Sequence, residues 1–285
     1  MSNDLLNMAL QLSVQDIFSS SWFSSALMNK VWMETMRSSV NGLIRKTGGA
    51  DLLGAALGGS LRGDAAMLRQ ASSNVSEAYA MMDMAATAVG NIAGLLQEAQ
   101  TLASDFLALD PGAQSNPAIQ AQYKTQYKAI SKNIDSIIQN TKYNGIALLD
   151  GNAWDGDQRL SVTRDASNNP LAASVHIQAG DSGFPLSFSN MDKDFSDIFA
   201  KHPPSDPAAA LTALSSLQRS AQTLADLYAG RAGSLQGQAA SLQSQAKILE
   251  EAAAQRAKTP APVSTESLLL NLILRDGGGL FSGRG

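Results

Sequence analysis

The sequence predicts a mainly α protein in which long antiparallel helices pack as a coiled-coil-like rod bundle, with a small β-hairpin region between two of them. Three observations support this fold class. Apolar residues recur at steps of three and four through 64–109, 118–142 and 207–258. Apolar and polar residues alternate only in the region between the last two of these stretches. Aromatic residues make up 6% of the chain, so Ala, Leu, Ser and Gln dominate the helices.

The N-terminal segment, 1–46, shows apolar positions that fit one or two amphipathic helices, broken near Ser19-Ser20-Ser21. Trp22 and Trp32 are its most conspicuous side chains. An exposed aromatic stripe could contact a membrane or a partner, whereas a buried helix seam is the more common arrangement. The two tryptophans are therefore candidate packing residues.

A glycine-rich joint is predicted at 47–63, "TGGADLLGAALGGSLRG", where six of seventeen residues are Gly. Glycine lowers the stability of a helix interior, so this stretch should not be helical throughout. The first rod then runs over 64–109, with Asp64 as its N-cap. The predicted seam of this rod consists of Leu68, Ala71, Val75, Ala78, Met82, Ala85, Val89, Ile92, Leu96, Ala99, Leu102 and Phe106.

The stretch "LDPGAQSNP", 109–117, ends the first rod because Asp, Pro and Gly favour a turn. A second rod is predicted over 118–142. It places Ile119, Tyr123, Tyr127, Ile130, Ile134 and Ile137 on one face. The connection is short, so the two rods should lie antiparallel.

The second rod leads into "KYNGIALLDGN", 142–152. Asn144-Gly145 and Asp150-Gly151 both contain residues that tolerate positive φ, so each pair should turn the chain sharply. The apolar run between them, 146–149, should be buried. The motif therefore predicts the end of a helix, a short apolar plug and an exit into a different kind of structure.

The β region is predicted at 152–200, where "RLSVTRD", "SVHIQAGD" and "PLSFSN" alternate apolar and polar residues. A last rod follows over 207–258. Its predicted seam consists of Leu211, Leu214, Leu217, Ala221, Leu224, Leu227, Leu235, Leu242 and Leu249. Gly230, Gly233 and Gly237 interrupt this rod, either as a kink or as a place where helices approach closely. The remaining segment, 259–285, should form one short apolar helix and a flexible tail.

Composition argues against several functional classes. The chain has no Cys and only two His, which leaves little for thiolate, imidazole or disulfide chemistry. Its net charge of -4 offers no basic face for nucleic acid. No apolar run is long enough to span a membrane, and the N-terminus has no features of a cleaved secretory signal. We therefore expect any export to use a route without a cleaved leader.

No catalytic, cofactor or metal site is predicted. The glycine-rich stretch is not preceded by a strand and lacks the Gly-Lys-Ser of a phosphate-binding loop. Asp192, Asp194 and Asp197 lack the Gly and Glu of a calcium hand, so a solvated acidic turn is the preferred interpretation. The sequence thus indicates a protein that is not an enzyme.

Four segments together resemble bacterial flagellin in their order and spacing. "LRQASSNVSEAYAMMDMAATAVGNIAGLLQEAQTLA", 68–103, is similar to the first core rod of that family. "ISKNIDSIIQNTKYNGIALLDG" is similar to its second rod and the aromatic-Asn-Gly-x-x-Leu-Leu-x-Gly exit. "SVHIQAGDSGFPLSFSNMD" resembles its Ile-Gln-x-Gly strand and hairpin, and 224–257 resembles the returning C-terminal rod.

The resemblance implies roles for the motif residues. Tyr143, Leu148 and Leu149 would pack on the rods while Asn144 and Gly145 turn the chain. Leu96 and Ile134 would lie between the rods. The segment 1–46 would be the polymerisation element, and 64–258 would be a core without outer domains.

The resemblance also implies a function. The chain would be a secreted structural subunit of a flagellum or surface filament, assembling with copies of itself for motility or attachment. Its further partners would be an export chaperone and filament cap or junction proteins. The alternative is a hook-filament junction-type adaptor, or a secreted flagellin-like binding protein that does not polymerise.

Overall fold

The computed structural model describes residues 50–180, 182–192, 195 and 206–258. These residues are mainly helical with a small antiparallel β region, which confirms the predicted fold class. In chain order the elements are α1 (Ala50–Ala108), α2 (Pro111–Gln114), α3 (Pro117–Asn140), β1 (Lys142–Tyr143), β2 (Ile146–Ala147), a 3-10 turn (Gly151–Ala153), β3 (Leu160–Arg164), β4 (Pro170–Ala179), β5 (Ser182–Ser189) and α4 (Pro207–Lys258).

The chain forms two compact units. The described part of the first unit consists of 77–177, 184–192, 195 and 206–235. That of the second consists of 50–76, 178–180, 182–183 and 236–258. Helices α1 and α4 contribute residues to both.

The predicted joint is helical from Ala50 onward, because α1 continues through the glycine-rich stretch. The expectation of a non-helical segment was therefore wrong for 50–63, and Asp64 lies inside α1 instead of capping it. Packing in the second unit explains the difference. Leu61 and Ala65 are buried in a cluster with Leu249, Ala252 and Ala253 of α4, and burial of apolar side chains offsets the low helix propensity of glycine.

Local capping starts α2 and α3 in the turn that follows α1. The side chain of Asp110 accepts a hydrogen bond from Ala113 N at 3.0 Å and caps α2. Asn116 accepts from Ala118 N at 2.9 Å and caps α3. Both short-range caps satisfy N–H groups that a helix start leaves without partners. The rings of Phe106 and Tyr123 stack at 4.5 Å, so α3 begins beside the end of α1.

Helix α4 runs antiparallel to α1 in the second unit. Arg69 forms an ion pair with Glu250. Three residues later in α1, Ser72 donates a hydrogen bond to the carbonyl oxygen of Ala239, which precedes Glu250. In the first unit Gln100 of α1 donates to the carbonyl oxygen of Leu214 at 3.3 Å.

The predicted seams form much of the core. Leu96 and Ile134 are fully buried. Other predicted seam residues that are buried are Ala71, Val75, Ala78, Met82, Ala85, Val89, Ile92, Ala99, Tyr123, Tyr127, Ile130, Leu214, Leu217, Ala221, Leu235, Leu242 and Leu249. Many of them are Ala, which lets helix backbones pack at short distances.

The β region contains two small sheets. Strands β1 and β2 pair antiparallel, and β3, β4 and β5 form a second sheet in that order. The β3–β4 register is irregular between Thr163 and Arg164. The strands begin at Lys142, earlier than the predicted boundary of 152, because β1 follows α3 almost directly.

Two further expectations concern the glycines of α4 and the helices of the terminal segments. In α4, Gly230, Gly233 and Gly237 are exposed, and an added Cβ would have no neighbour within 4 Å. The interpretation that these glycines permit close helix approach within the subunit was therefore wrong. The predicted helices of 1–46, with Trp22 and Trp32, and the segment 259–285 lie outside the described residues.

Candidate functional site at the helix-to-sheet junction

The junction begins with a tight hairpin. Strand β1 pairs with β2 through Tyr143 and Ile146, so only Asn144 and Gly145 connect them. Their φ angles are 48° and 79°, as the sequence predicts. A two-residue loop with both φ positive matches the twist of the flanking strands.

A charged group supports the hairpin loop from outside. The guanidinium of Arg159 donates to the carbonyl oxygen of Asn144 at 3.1 Å. It also donates to both carboxylate oxygens of Asp157, through Nε at 2.9 Å and Nη2 at 2.7 Å. The hydrogen bonds from Arg159 lower the pKa of Asp157, because they stabilise its charged form.

The apolar plug follows the hairpin. Ile146, Ala147, Leu148 and Leu149 are buried, which confirms the predicted burial, and the last two are fully inaccessible to solvent. The backbone of the plug is also bonded on both sides. Leu148 N donates to the carbonyl oxygen of Thr141 at 3.0 Å, and the carbonyl oxygen of Leu149 accepts from Met191 N at 3.0 Å.

The second predicted turn has a different geometry. Gly151 does not adopt a positive φ, and the predicted turn is made by the 3-10 turn Gly151–Ala153. Asp150 instead caps the 3-10 turn by accepting a hydrogen bond from Asn152 N at 3.0 Å. Glycine is required at 151 for space, because a Cβ there would overlap the side-chain end of Asn190.

Asn190 joins three segments of the junction. It is one of the few buried polar residues in the described chain, with 6% of its surface exposed. Its Oδ1 accepts from Gly151 N and from Asp192 N, both at 3.0 Å. Its Nδ2 donates to the carbonyl oxygen of Pro170 at 2.9 Å. The sequence analysis missed this residue, since an Asn after a strand usually indicates only a turn.

Trp154 closes the same region. Its side chain is almost fully buried, and its indole N–H donates to the carbonyl oxygen of Ala147 at 2.9 Å. A buried indole requires such a partner, so the hairpin and the 3-10 turn hold each other in position. The sequence analysis also missed Trp154, although a single Trp shortly after the motif was an available signal.

Tyr228 connects α4 to the sheet. Its hydroxyl accepts a hydrogen bond from Ser189 N at 2.8 Å, and its ring packs edge-on against Phe188 at 6.1 Å. Burial raises the pKa of this phenol, since the charged form would lose its solvation. The predicted α4 seam included Leu224 and Leu227, which are only half-buried, but not Tyr228.

Two carboxylates, Asp135 of α3 and Asp192 after β5, influence each other electrostatically. Burial raises the pKa of Asp135, and the negative charge of Asp192 raises it further. Asp192 accepts a hydrogen bond from the amide of Asn152.

Among the described residues, no group of three or more His, Asp or Glu is arranged to hold a metal ion. Asp194 and Asp197 lie outside those residues. None of the described helices has the length and apolar character needed to cross a membrane.

The predicted packing residues thus have distinct environments. Leu96, Ile134, Leu148 and Leu149 are inaccessible to solvent, Tyr143 is half-buried, and Asn144 and Gly145 are exposed. The junction brings Tyr143 to Leu149 together with Trp154 and Asn190. Side chains buried within the subunit cannot contact another molecule in this conformation, so any part they have in assembly is to shape the subunit. That role stays a prediction.

The comparison with known families extends over this junction. A family model described as the bacterial flagellin N-terminal helical region matches residues 28–153. The match includes α2, α3, the hairpin and the apolar plug, and it ends in the 3-10 turn. No curated protein matches the chain.

Proposed function

Because a model of the bacterial flagellin N-terminal helical region matches residues 28–153, we propose that the chain is a member of the bacterial flagellin family and a structural subunit of an extracellular bacterial filament that polymerises with copies of itself. The observation that carries this proposal is the match over 28–153, together with the arrangement of that region as long paired helices closed by a buried junction. Motility or surface attachment would be the role of the filament.

The core has the internal cohesion that a filament subunit needs. Side-chain hydrogen bonds and one ion pair join α1 to α4, and Asn190 and Trp154 fix the exit of the chain from α3 into the sheet. Buried and hydrogen-bonded contacts of this kind raise the free energy of local opening.

The proposed polymerisation element is the N-terminal segment 1–46. Its apolar periodicity, with Trp22 and Trp32, would give a face too large to remain in water, and such faces ordinarily mark contact surfaces. When each copy contacts the next through different surfaces, contacts that do not close produce a helical fibre. We further propose that the subunit is exported from the cell, with a chaperone before assembly and cap or junction proteins at the filament ends.

Electron microscopy of the purified full chain tests the proposal. We expect fibres of uniform width. Deletion of 1–45 should abolish fibres while circular dichroism still reports a helical protein and sedimentation reports a monomer. A milder variant, Trp22→Ser with Trp32→Ser, should weaken assembly and leaves Trp154 as the single tryptophan, so its fluorescence reports whether the junction is still folded.

The outcomes separate the proposal from its alternative. A full chain that stays monomeric at high concentration would instead fit a junction-type adaptor or a non-polymerising binding protein. Fibres that persist after deletion of 1–45 would show that another part of the chain drives assembly.

A further inference from the structure

A stripe of three lysines lies on one side of α3. Lys124, Lys128 and Lys132 are spaced by four residues, so they follow one another along a single helix face over about 12 Å. All three are exposed. We call them the lysine stripe. It is an unusual feature in a chain whose net charge is -4.

The lysine stripe has no acidic partner within the described part of the chain, where ion pairs involve Arg69, Arg159 and Arg164 instead. Like charges four residues apart repel and disfavour the helix that carries them. The fold of the subunit therefore gains nothing from this arrangement. A binding surface for something acidic would account for it.

An acidic pair of matching length lies on α1. Glu98 and Asp105 are seven residues apart, close to two helical turns, so they share one face and are separated by about 10 Å. Both are exposed, and no ion pair joins either of them to another described residue. Both belong to the same compact unit as the lysine stripe.

We propose that the lysine stripe of one copy binds the acidic pair, Glu98 and Asp105, of a neighbouring copy in the filament. The two surfaces lie on the same chain, are unpaired, are similar in length and carry opposite charge. Each copy then offers one basic and one acidic surface to two different neighbours, which is the heterologous contact that extends a fibre. The proposal rests on the proposed function and specifies which surfaces of the core meet.

Charge reversal tests the contact in the full chain. The variant Lys124→Glu/Lys128→Glu/Lys132→Glu should remain helical but raise the critical concentration for fibre formation by about tenfold or more. Arg62→Glu/Arg219→Glu/Lys247→Glu is the matched control, because it changes the net charge equally at three exposed positions elsewhere. The control should assemble close to wild type. An equal effect of both variants would overturn the proposal.

Mixing identifies the partner surface. Glu98→Lys/Asp105→Lys should also assemble poorly alone, yet a mixture with the lysine-reversal variant should recover fibres, because each basic surface then meets an acidic one. Recovery should weaken as salt is raised. No recovery would overturn the assignment of the acidic pair. The contact would also be overturned if the lysine-reversal variant lost binding to anionic lipid vesicles while its fibre formation was unchanged.

The same experiment keeps the two proposals distinguishable. Wild-type fibres with no specific effect of lysine reversal would leave the filament function standing and refute this contact. If the wild type forms no fibres but the two reversal variants associate in sedimentation when mixed, the contact stands and the filament function fails. If the wild type forms no fibres and the mixed reversal variants do not associate, both proposals are refuted.

Discussion

Substitution of Gly151 by Ala tests the packing of the junction. A Cβ at this position would overlap the Cγ, Oδ1 and Nδ2 atoms of Asn190. The backbone itself does not forbid Ala, because φ at Gly151 is not in the left-handed region. Any effect of the substitution must therefore arise from the overlap with Asn190.

The side chain of Asn190 cannot move aside freely. It accepts hydrogen bonds from Gly151 N and Asp192 N and donates to the carbonyl oxygen of Pro170, all at 2.9 to 3.0 Å. Overpacking of a tight interior typically costs about 1–3 kcal/mol. Rotation of Asn190 would leave buried polar groups unsatisfied at a similar cost of about 1–3 kcal/mol. We expect Gly151→Ala to lower the free energy of unfolding by about 2 kcal/mol.

A double-mutant cycle makes the reasoning specific. Asn190→Ala alone should also destabilise, by about 1–3 kcal/mol, because the two N–H groups lose their acceptor. In the double variant the Cβ added at position 151 occupies space that the Asn190 side chain has left, so Gly151→Ala should add little there. The two changes should therefore fall short of additivity by about 1 kcal/mol or more.

Urea unfolding followed by circular dichroism measures all four proteins. Gly90→Ala is the matched control, since a Cβ there has no neighbour within 4 Å and the residue lies inside α1. It should stabilise the protein slightly, as expected for Gly to Ala in a helix. Additivity of the two junction substitutions within about 0.5 kcal/mol would refute the proposed overlap.

Four other substitutions test the helices. Leu96→Asp or Ile134→Asp should each destabilise by several kcal/mol, because each places a charge at a fully buried site; an unchanged melting temperature would contradict the seam assignment. Burial and Tyr123 raise the pKa of Tyr127 from 10.0 to about 12, so its contribution to stability is complete below pH 10 and is lost as pH rises through 12. Between pH 10 and pH 12, the unfolding free energy of Tyr127→Phe, measured by urea unfolding, should fall less than that of the wild type. Gly233→Ala, exposed and without close neighbours, should stabilise α4 by about 0.5–1 kcal/mol in the same assay.

The sequence was most informative where a pattern repeats. Period-3 and period-4 spacing located the rods, and the bounds of α4 agree with the predicted 207–258. The same spacing correctly placed Leu96 and Ile134 in the core. Asn144-Gly145 predicted its turn because positive φ at two successive residues is a local requirement that few other residue pairs meet.

The sequence was least informative where a residue depends on distant parts of the chain. Gly151 and Asp150 look like a second turn, but the contact that requires glycine comes from Asn190, 39 residues later. Tyr228 lies outside the predicted seam of α4, and its hydroxyl partner is in β5. The glycines of α1 predicted a break, whereas packing of Leu61 against α4 favours a continuous helix.

Cohesion within the subunit and contact between subunits use different residues in this protein. The groups that hold the junction, Asn190, Trp154 and Tyr228, are buried and their polar atoms are bonded within the chain. The lysine stripe and the acidic pair are exposed and unbonded in the described structure. Because charges at the surface contribute little to folding, their reversal should leave the unfolding free energy nearly unchanged. Substitutions in the junction should do the opposite, so that stability and assembly measured on the same variants report separately on the fold and on the filament.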